Sequence, residues 1–222
     1  MSKSSVAQRR RPRTPRNRGR PAMEAADDVR AALLDAARTL FLKHGFAKVS
    51  SRQIAAAAHT TPAMIHYYFE DKHGLFREIV AEAIAPFARQ LSGAYSQEGQ
   101  PTDPATLIAV HMRTGAANQW LGSLLVNEVF AEGGELRVDF IRDVAQRLAP
   151  MLIRVFESAR ARGMLRADLD LKLAAVSFLS LCAFPLISRA VSGPVLGIRL
   201  EGADLDRLVD HTVKVFMQGC AA

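Results

Sequence analysis

Apolar residues recur every three or four positions along most of the chain, which is the spacing of one face of an α-helix. The first clear run covers about residues 29–44 and places Val29, Leu33, Ala37, Leu40 and Phe41 on one side. The alternation of apolar and polar residues that marks a half-buried β-strand does not persist over any segment. The pattern predicts an all-α protein with about nine helices.

Capping residues set the limits of the first helix. Asp27 or Asp28 is expected to begin it, because a carboxylate there meets free N–H groups and the positive end of the helix dipole. Gly45 is expected to end it, since glycine adopts positive φ at little cost, and Phe46 can then fold back onto Phe41.

Two short helices and a tight turn are predicted next. Ser50 and Gln53 have the spacing of a capping box, which indicates a helix over about residues 51–58. Thr61 is expected to cap a third helix that begins with Pro62, where the missing N–H costs nothing. Two short helices packed on a longer first helix form the helix-turn-helix arrangement, which many DNA-binding proteins use.

The remainder of the chain is also predicted to be helical. A long fourth helix is expected at about residues 72–96 with a kink at Pro86, and the Gly-Gln-Pro sequence at 99–101 is typical of a linker. Further helices are predicted at about 103–118, 119–132, 135–163, 168–191 and 204–219, the last one capped by Asp204 and ended by Gly219.

The net charge of +7 resides in the first 20 residues. They contain eight Lys and Arg residues and no acidic one, which leaves 21 basic against 22 acidic residues in the rest of the chain. Three prolines in 12–21 disfavour the amphipathic helix of a transit peptide. Residues 1–22 are therefore predicted to be a disordered basic arm that binds nucleic acid, with a solubility tail as the alternative.

Several classes of function lack their sequence signals. Cys182 and Cys220 have no metal-type neighbours, which indicates reduced thiols in a cytoplasmic protein without a bound metal. The uncharged run between Lys172 and Arg189 is too short to span a bilayer and indicates a buried helix. Glycine-rich phosphate loops, zinc-binding His pairs and nucleophile elbows are all missing from the sequence, so we expect neither an enzyme nor a cofactor.

The segment from Val29 to Val80 resembles the N-terminal domain of the TetR/AcrR family of bacterial transcriptional regulators. His59 stands where the family usually has a glycine in the turn, and histidine tolerates positive φ better than most residues. Thr60, Ala63 and His66 depart from the usual Val, Gly and Tyr. The matching residues are Ala36, Ala37, Leu40, Phe41, Gly45, Phe46, Ser50, Ile54, Ala55, Ile65, Tyr67, Tyr68, Phe69, Lys72, Leu75 and Phe76.

The resemblance implies a DNA-binding domain at 23–71 and an effector-binding and dimerisation domain at 72–222. With Ile65 and Phe69 directed inward, the outer face of the third helix would enter the major groove of an operator. Arg52 is our candidate for the main guanine contact, because the third helix contains no Arg, Asn or Gln. The predicted DNA-binding residues are Ser51, Arg52, Thr61, Pro62, Ala63, Met64, His66, Tyr67, Tyr68 and Lys72, of which Thr61, Tyr68 and Lys72 match phosphate-binding positions.

The same resemblance implies a homodimer that binds a palindromic operator and releases it when a small-molecule effector binds. The helices near 168–191 and 204–219 are the expected dimer interface. An activator of the same fold, or an architectural DNA-binding protein without an effector, remains an alternative. The candidate effector-binding residues are His111, Met112, Trp120, Phe130, Phe140, Met151, Phe156 and Phe178, although core packing is the better explanation for each of them taken singly.

Overall fold

The computed structural model describes residues 22–93 and 102–221, and every described regular element is helical. The predicted basic arm and the 99–101 linker lie almost entirely outside these residues. The helices are α1 (Ala22–His44), α2 (Ser51–Ala57), α3 (Pro62–Phe69), α4 (Lys72–Gly93), α5 (Pro104–Ala117), α6 (Gln119–Leu125, continued by Val126–Phe130), α7 (Arg137–Phe140, continued by Ile141–Ala145 and Gln146–Ala161), α8 (Leu171–Ile187), α9 (Arg189–Leu196) and α10 (Gly202–Cys220). The all-α prediction is confirmed.

The first and last helices begin earlier than their expected caps. Helix α1 starts at Ala22, so Asp27 and Asp28 lie inside it, because the preceding Ala, Met and Glu residues all have high helix propensity. In α10 the N-cap position is Glu201. Asp204 instead lies in the first turn, where its carboxylate pairs with Arg207, and the helix continues past Gly219 to Cys220.

The helix predicted over 168–191 is two helices. Helix α8 ends at Ile187, and α9 leaves it at an angle of 72°. Pro185 lies in the last turn of α8, where it cannot donate a hydrogen bond to the preceding turn, so the helix is weakened just before the bend.

Helices α6 and α7 each contain a π-helical turn that the hydrophobic pattern did not predict. These turns cover Val126–Phe130 and Ile141–Ala145. A π-turn inserts an extra residue into the helical register, and such turns are rare and often occur at functional sites.

Two hydrophobic cores share the long helix α4. The first half of α4 packs with α1, α2, α3 and α6 through residues such as Phe41, Ile54 and Ile79. The second half packs with α5, α7, α8 and α10, where Phe156 and Phe178 are fully buried. Because α6 contributes Leu121 and Leu124 to the first core, the core of the helix-turn-helix domain extends into the C-terminal half of the chain.

Both cysteine thiols are free and buried within the second core. Burial raises the pKa of the Cys182 thiol to about 12 and raises that of Cys220 as well. Among the described residues, no single helix is long and apolar enough to cross a membrane, whereas α8 and α9 taken together reach that length and composition.

Candidate nucleic-acid interface

The turn between α2 and α3 has the geometry that the sequence predicts. The Ser50 N–H donates to Gln53 Oε1 at 2.8 Å and the Gln53 N–H donates to Ser50 Oγ at 3.3 Å, which completes the capping box. His59 adopts a φ of +52°, as its place in the turn requires. Thr61 occupies the N-cap position of α3, but its side chain makes no capping hydrogen bond. Its hydroxyl is therefore not committed to the helix.

Helix α3 presents one face to the core and the opposite face to solvent. Ile65 and Phe69 are buried against the first core, as predicted. Met64 and Tyr68 are half-buried and pack at the edge of this core. The exposed positions are Pro62, Ala63, His66 and Tyr67, the last with 76% of its surface accessible, and on α2 Arg52 is exposed beside the half-buried Ser51.

The surface of α2 and α3 themselves carries positive charge and no acidic residue, and the exposed Glu70 follows directly after α3. From residue 43 to residue 69 the chain contains Lys43, Lys48 and Arg52 and no Asp or Glu. The single cation on α2 and α3 is Arg52, and its exposure leaves the guanidinium available. A surface of this kind attracts the phosphates of DNA and repels few of them.

Lys72 has a structural role that the sequence did not indicate. Its ammonium donates to the carbonyl oxygens of Phe46 at 2.9 Å and Val49 at 3.0 Å, and lies 4.0 Å from the centre of the Phe46 ring. These contacts hold the loop that precedes α2 against the start of α4. Because an ammonium has three N–H donors, one remains for a phosphate.

A tight joint connects α3 to α4. Glu70 adopts φ +69° and ψ −53°, and the Asp71 N–H donates to the Phe69 carbonyl oxygen at 2.8 Å, which is the geometry of a γ-turn. The Nδ1–H of His66 donates to the Glu70 carbonyl oxygen at 2.6 Å and supports the same turn. The His that departs from the family pattern thus stabilises the end of α3.

Gly74 completes this joint and was missed in the sequence. A Cβ atom at position 74 would lie 1.8 Å from the Phe69 carbonyl oxygen, so only glycine fits there. The Gly74 N–H donates to Asp71 Oδ1 at 2.7 Å, which caps α4. An unexpected glycine in the first turn of a strong helix was the available signal.

Comparison with known proteins identifies the protein family to which this chain belongs. The sequence profile of the bacterial regulatory proteins of the tetR family matches residues 33–79, and that of the tetracyclin repressor-like C-terminal domain matches residues 105–216. The chain belongs to the TetR family. It is therefore a DNA-binding transcriptional regulator, and the matched relatives are regulators and not enzymes.

Individual TetR-family proteins cover most of the chain. The HTH-type transcriptional repressor NicS of Pseudomonas putida is 25% identical over 179 residues, which are 80% of this chain and 84% of NicS. The fatty acid degradation regulator FadR of Bacillus halodurans superimposes with a TM-score of 0.66 at 20% identity and covers 91% of this chain and 98% of its own. FadR of Bacillus subtilis, solved with stearoyl-CoA, gives 0.65 at 16% identity and covers 85% and 98%.

The eight candidate effector-binding residues do not lie together. Five belong to the second core: Met112, Phe156 and Phe178 are fully buried, and His111 and Met151 pack beside them. Trp120 and Phe140 pack against the first core instead. Phe130 has 61% of its surface exposed.

His111 packs against aromatic residues of the second core. Its ring is edge-on to Phe87 at 4.7 Å and to Phe178 at 5.8 Å between centroids. Burial lowers the pKa of His111 to about 4, so the imidazole is neutral at pH 7. Part of the residue surface nevertheless remains accessible.

The predicted dimerisation helices differ in their exposed faces. Helix α8 exposes a stripe of apolar residues at helical spacing, with Leu173, Val176 and Phe184 each more than 60% exposed. The outer face of α10 is mostly polar, and Val215 is its one exposed large apolar residue within the described chain. A groove of about 370 Å³ runs between the two helices.

Proposed function

We propose that this protein is a homodimeric repressor that binds a palindromic DNA operator and releases it when a small-molecule effector binds. The observation that carries the proposal is the α2–α3 surface, which is exposed, basic and free of acidic residues from position 43 to 69. The name of NicS supports repression. Activation from the same operator remains the second candidate, because the sign of regulation depends on where the operator lies.

Sequencing the DNA fragments that the purified protein retains from its own genome is the test of this function. A palindromic motif would support two recognition helices about one helical turn apart. Retention of unrelated sequences would instead favour an architectural DNA-binding protein. The genes beside the motif would identify the class of effector, and a reporter gene behind the motif would distinguish repression from activation.

Arg52 is proposed as the main base-reading side chain, with Met64 or Ala63 packed against thymine methyl groups. Bidentate recognition of guanine by arginine contributes about 1–3 kcal/mol. We therefore expect Arg52→Ala to weaken binding by roughly 10- to 100-fold, and to remove the preference for one base pair in each half-site. Binding to operators with single substitutions measures this preference.

Arg89→Ala is the matched control for Arg52, because Arg89 is an exposed arginine in the second half of α4, away from the recognition helix. It should bind every operator variant as the wild type does. Equal loss of affinity across all operator positions in Arg52→Ala would mean that Arg52 contacts phosphate, and would refute a guanine contact.

The apolar stripe on α8 is the proposed dimer interface, together with α10. Monomeric proteins seldom leave a row of large apolar side chains exposed to water along one helix face. A two-fold axis beside α8 would bury Leu173, Val176 and Phe184 against their copies, and would also place a second recognition helix in the assembly.

Phe184→Glu is expected to convert the dimer into a monomer and to remove most of the affinity for a palindromic site. The side chain is 68% exposed in the single chain, so the substitution should leave the monomer fold intact. Sedimentation equilibrium measures the oligomeric state, and circular dichroism checks that the monomer remains folded. Val138→Glu, at an apolar residue 71% exposed on α7, is the matched control and should remain dimeric. A dimeric Phe184→Glu variant would exclude this interface.

The effector site is proposed to lie within the second core, beside His111. The neutral imidazole has no hydrogen-bond partner among the described residues, and its ring packs edge-on against Phe87 and Phe178. Such surroundings suit a largely apolar molecule that donates one hydrogen bond. The B. subtilis FadR complex supports this idea, because a protein of the same fold holds stearoyl-CoA.

A further inference from the structure

Three acidic side chains of α6 and α7 contact the helix-turn-helix domain or the start of α4, which follows it directly. Glu128, buried in the π-turn of α6, accepts a hydrogen bond from the Phe46 N–H at 2.9 Å. Asp139 of α7 accepts one from His73 Nδ1 at 2.6 Å. Asp143, in the π-turn of α7, lies 3.8 Å from Arg77 Nε. We call these three residues the acidic ladder.

Two of these contacts, those of Asp139 and Asp143, join α4 to α7 at matching intervals along both helices. His73 and Arg77 are four residues apart on α4, and their partners Asp139 and Asp143 are four residues apart on α7. Residues at this spacing share one helix face, so the two helices run in the same direction with two polar contacts one turn apart. Arg142 also binds Asp143 and holds the pKa of that carboxyl below its usual range, which keeps it charged.

The acidic ladder contacts the two segments that hold α2 and α3 in place, namely the loop before α2 and the start of α4. Glu128 accepts the hydrogen bond of Phe46, which lies in the loop before α2. The carbonyl oxygen of the same Phe46 accepts a hydrogen bond from Lys72 at the start of α4. Asp139 and Asp143 reach the first two turns of α4, directly after the tight joint at Phe69–Gly74. Because Gly74 packs directly against the Phe69 carbonyl group at the end of α3, we expect a displacement of α4 at His73 to move α3 with it.

We propose that Glu128, Asp139 and Asp143 are positioning residues for DNA recognition: they fix the angle at which the C-terminal domain presents α3 to DNA. This inference rests on the proposed function and names a further set of residues for it. None of the three lies on the exposed face of α2 or α3. Their effect on DNA binding passes through the Phe46 loop and the start of α4.

Glu128 offers a variant pair that separates positioning from charge and size. In Glu128→Gln the amide oxygen can still accept the Phe46 N–H, whereas Glu128→Met has similar bulk and leaves this buried N–H without a partner. We expect Glu128→Met to weaken operator binding by about tenfold or more. Glu128→Gln should bind within about twofold of the wild type, because it retains the acceptor.

Two readouts report on the ladder without DNA. Amide hydrogen exchange of the peptide containing Phe46 should accelerate in Glu128→Met and stay slow in Glu128→Gln. Trp120, the single tryptophan of the chain, lies on α6 with the Arg38 guanidinium of α1 5.3 Å from its ring centre. Its emission should therefore shift when α6 moves relative to α1. Asp168→Asn, which breaks the exposed Arg166–Asp168 ion pair in the segment before α8, is the control and should change neither readout.

The outcomes distinguish the inference from the function beneath it. Faster Phe46 exchange together with weaker operator binding in Glu128→Met, and wild-type values in Glu128→Gln, would support positioning. Faster exchange with wild-type affinity would show that Glu128 only stabilises the loop, and would overturn the inference while the proposed function stands. Failure of the wild-type protein to retain any DNA would overturn the proposed function itself, and the inference with it.

Discussion

Gly74→Ala is expected to lower the free energy of unfolding by about 3 kcal/mol and to abolish tight operator binding. For a chain of this length the melting temperature should fall by about 6–12 °C. The added methyl group would lie 1.8 Å from the Phe69 carbonyl oxygen and 2.9 Å from its carbonyl carbon. Neither atom belongs to a flexible side chain, so the backbone at the end of α3 must move. Thermal unfolding and operator titration measure the two effects.

The sign of this effect is opposite to what helix propensity predicts. Alanine in place of a helical glycine usually stabilises a helix by about 1 kcal/mol. Gly122→Ala on α6 is the matched control, because its added methyl would meet its nearest neighbour, the Leu186 carbonyl oxygen, at an ordinary 3.7 Å. It should be neutral or slightly stabilising. A Gly74→Ala protein as stable as this control, with wild-type operator affinity, would show that the joint can flex.

Local signals predicted the helix-turn-helix motif well. The capping box of Ser50 and Gln53 and the proline at the start of α3 depend only on residues within a few positions of one another. The positive φ at His59 followed from the family resemblance, because His59 stands where the family has a glycine, and it is confirmed. The inward direction of Ile65 and Phe69 followed from helical spacing alone.

Features that depend on distant contacts were not predicted. The γ-turn at Glu70 and the glycine at 74 make sense only when α3 and α4 are placed against each other. The π-turns also have no periodic signal, because one inserted residue shifts the pattern without breaking it. Glu128 was the available clue, since it is the only charged residue between Arg113 and Glu132.

The effector-binding prediction illustrates a different limit. Aromatic and methionine residues on helices pack equally well into a core or around a ligand, and the sequence does not distinguish the two. The structure divides the eight residues between two cores and the surface. His111 differs from the other seven residues because its burial lowers its pKa, and this shift can be measured.

His111 is expected to make the protein sensitive to mild acid. Burial lowers its pKa from 6.5 to about 4 in the folded state, so between these values the unfolded chain binds a proton that the folded chain does not. Stability from the neutral imidazole is thus complete above pH 6.5 and is lost as the pH falls toward 4. The loss due to this residue should be about 2 kcal/mol at pH 5 and about 3 kcal/mol below pH 4.

Urea unfolding of the wild type and of His111→Gln across pH 7.5 to 5 measures this contribution. Glutamine stays neutral over the whole range, so the variant should lose about 2 kcal/mol less than the wild type over this interval. Because other groups titrate equally in both proteins, the difference between the two profiles isolates His111. His211→Gln, at an exposed histidine of α10, is the control and should follow the wild-type profile. Parallel profiles for His111→Gln and the wild type would mean that the imidazole accepts a proton in the folded protein, and therefore that water reaches it within the second core.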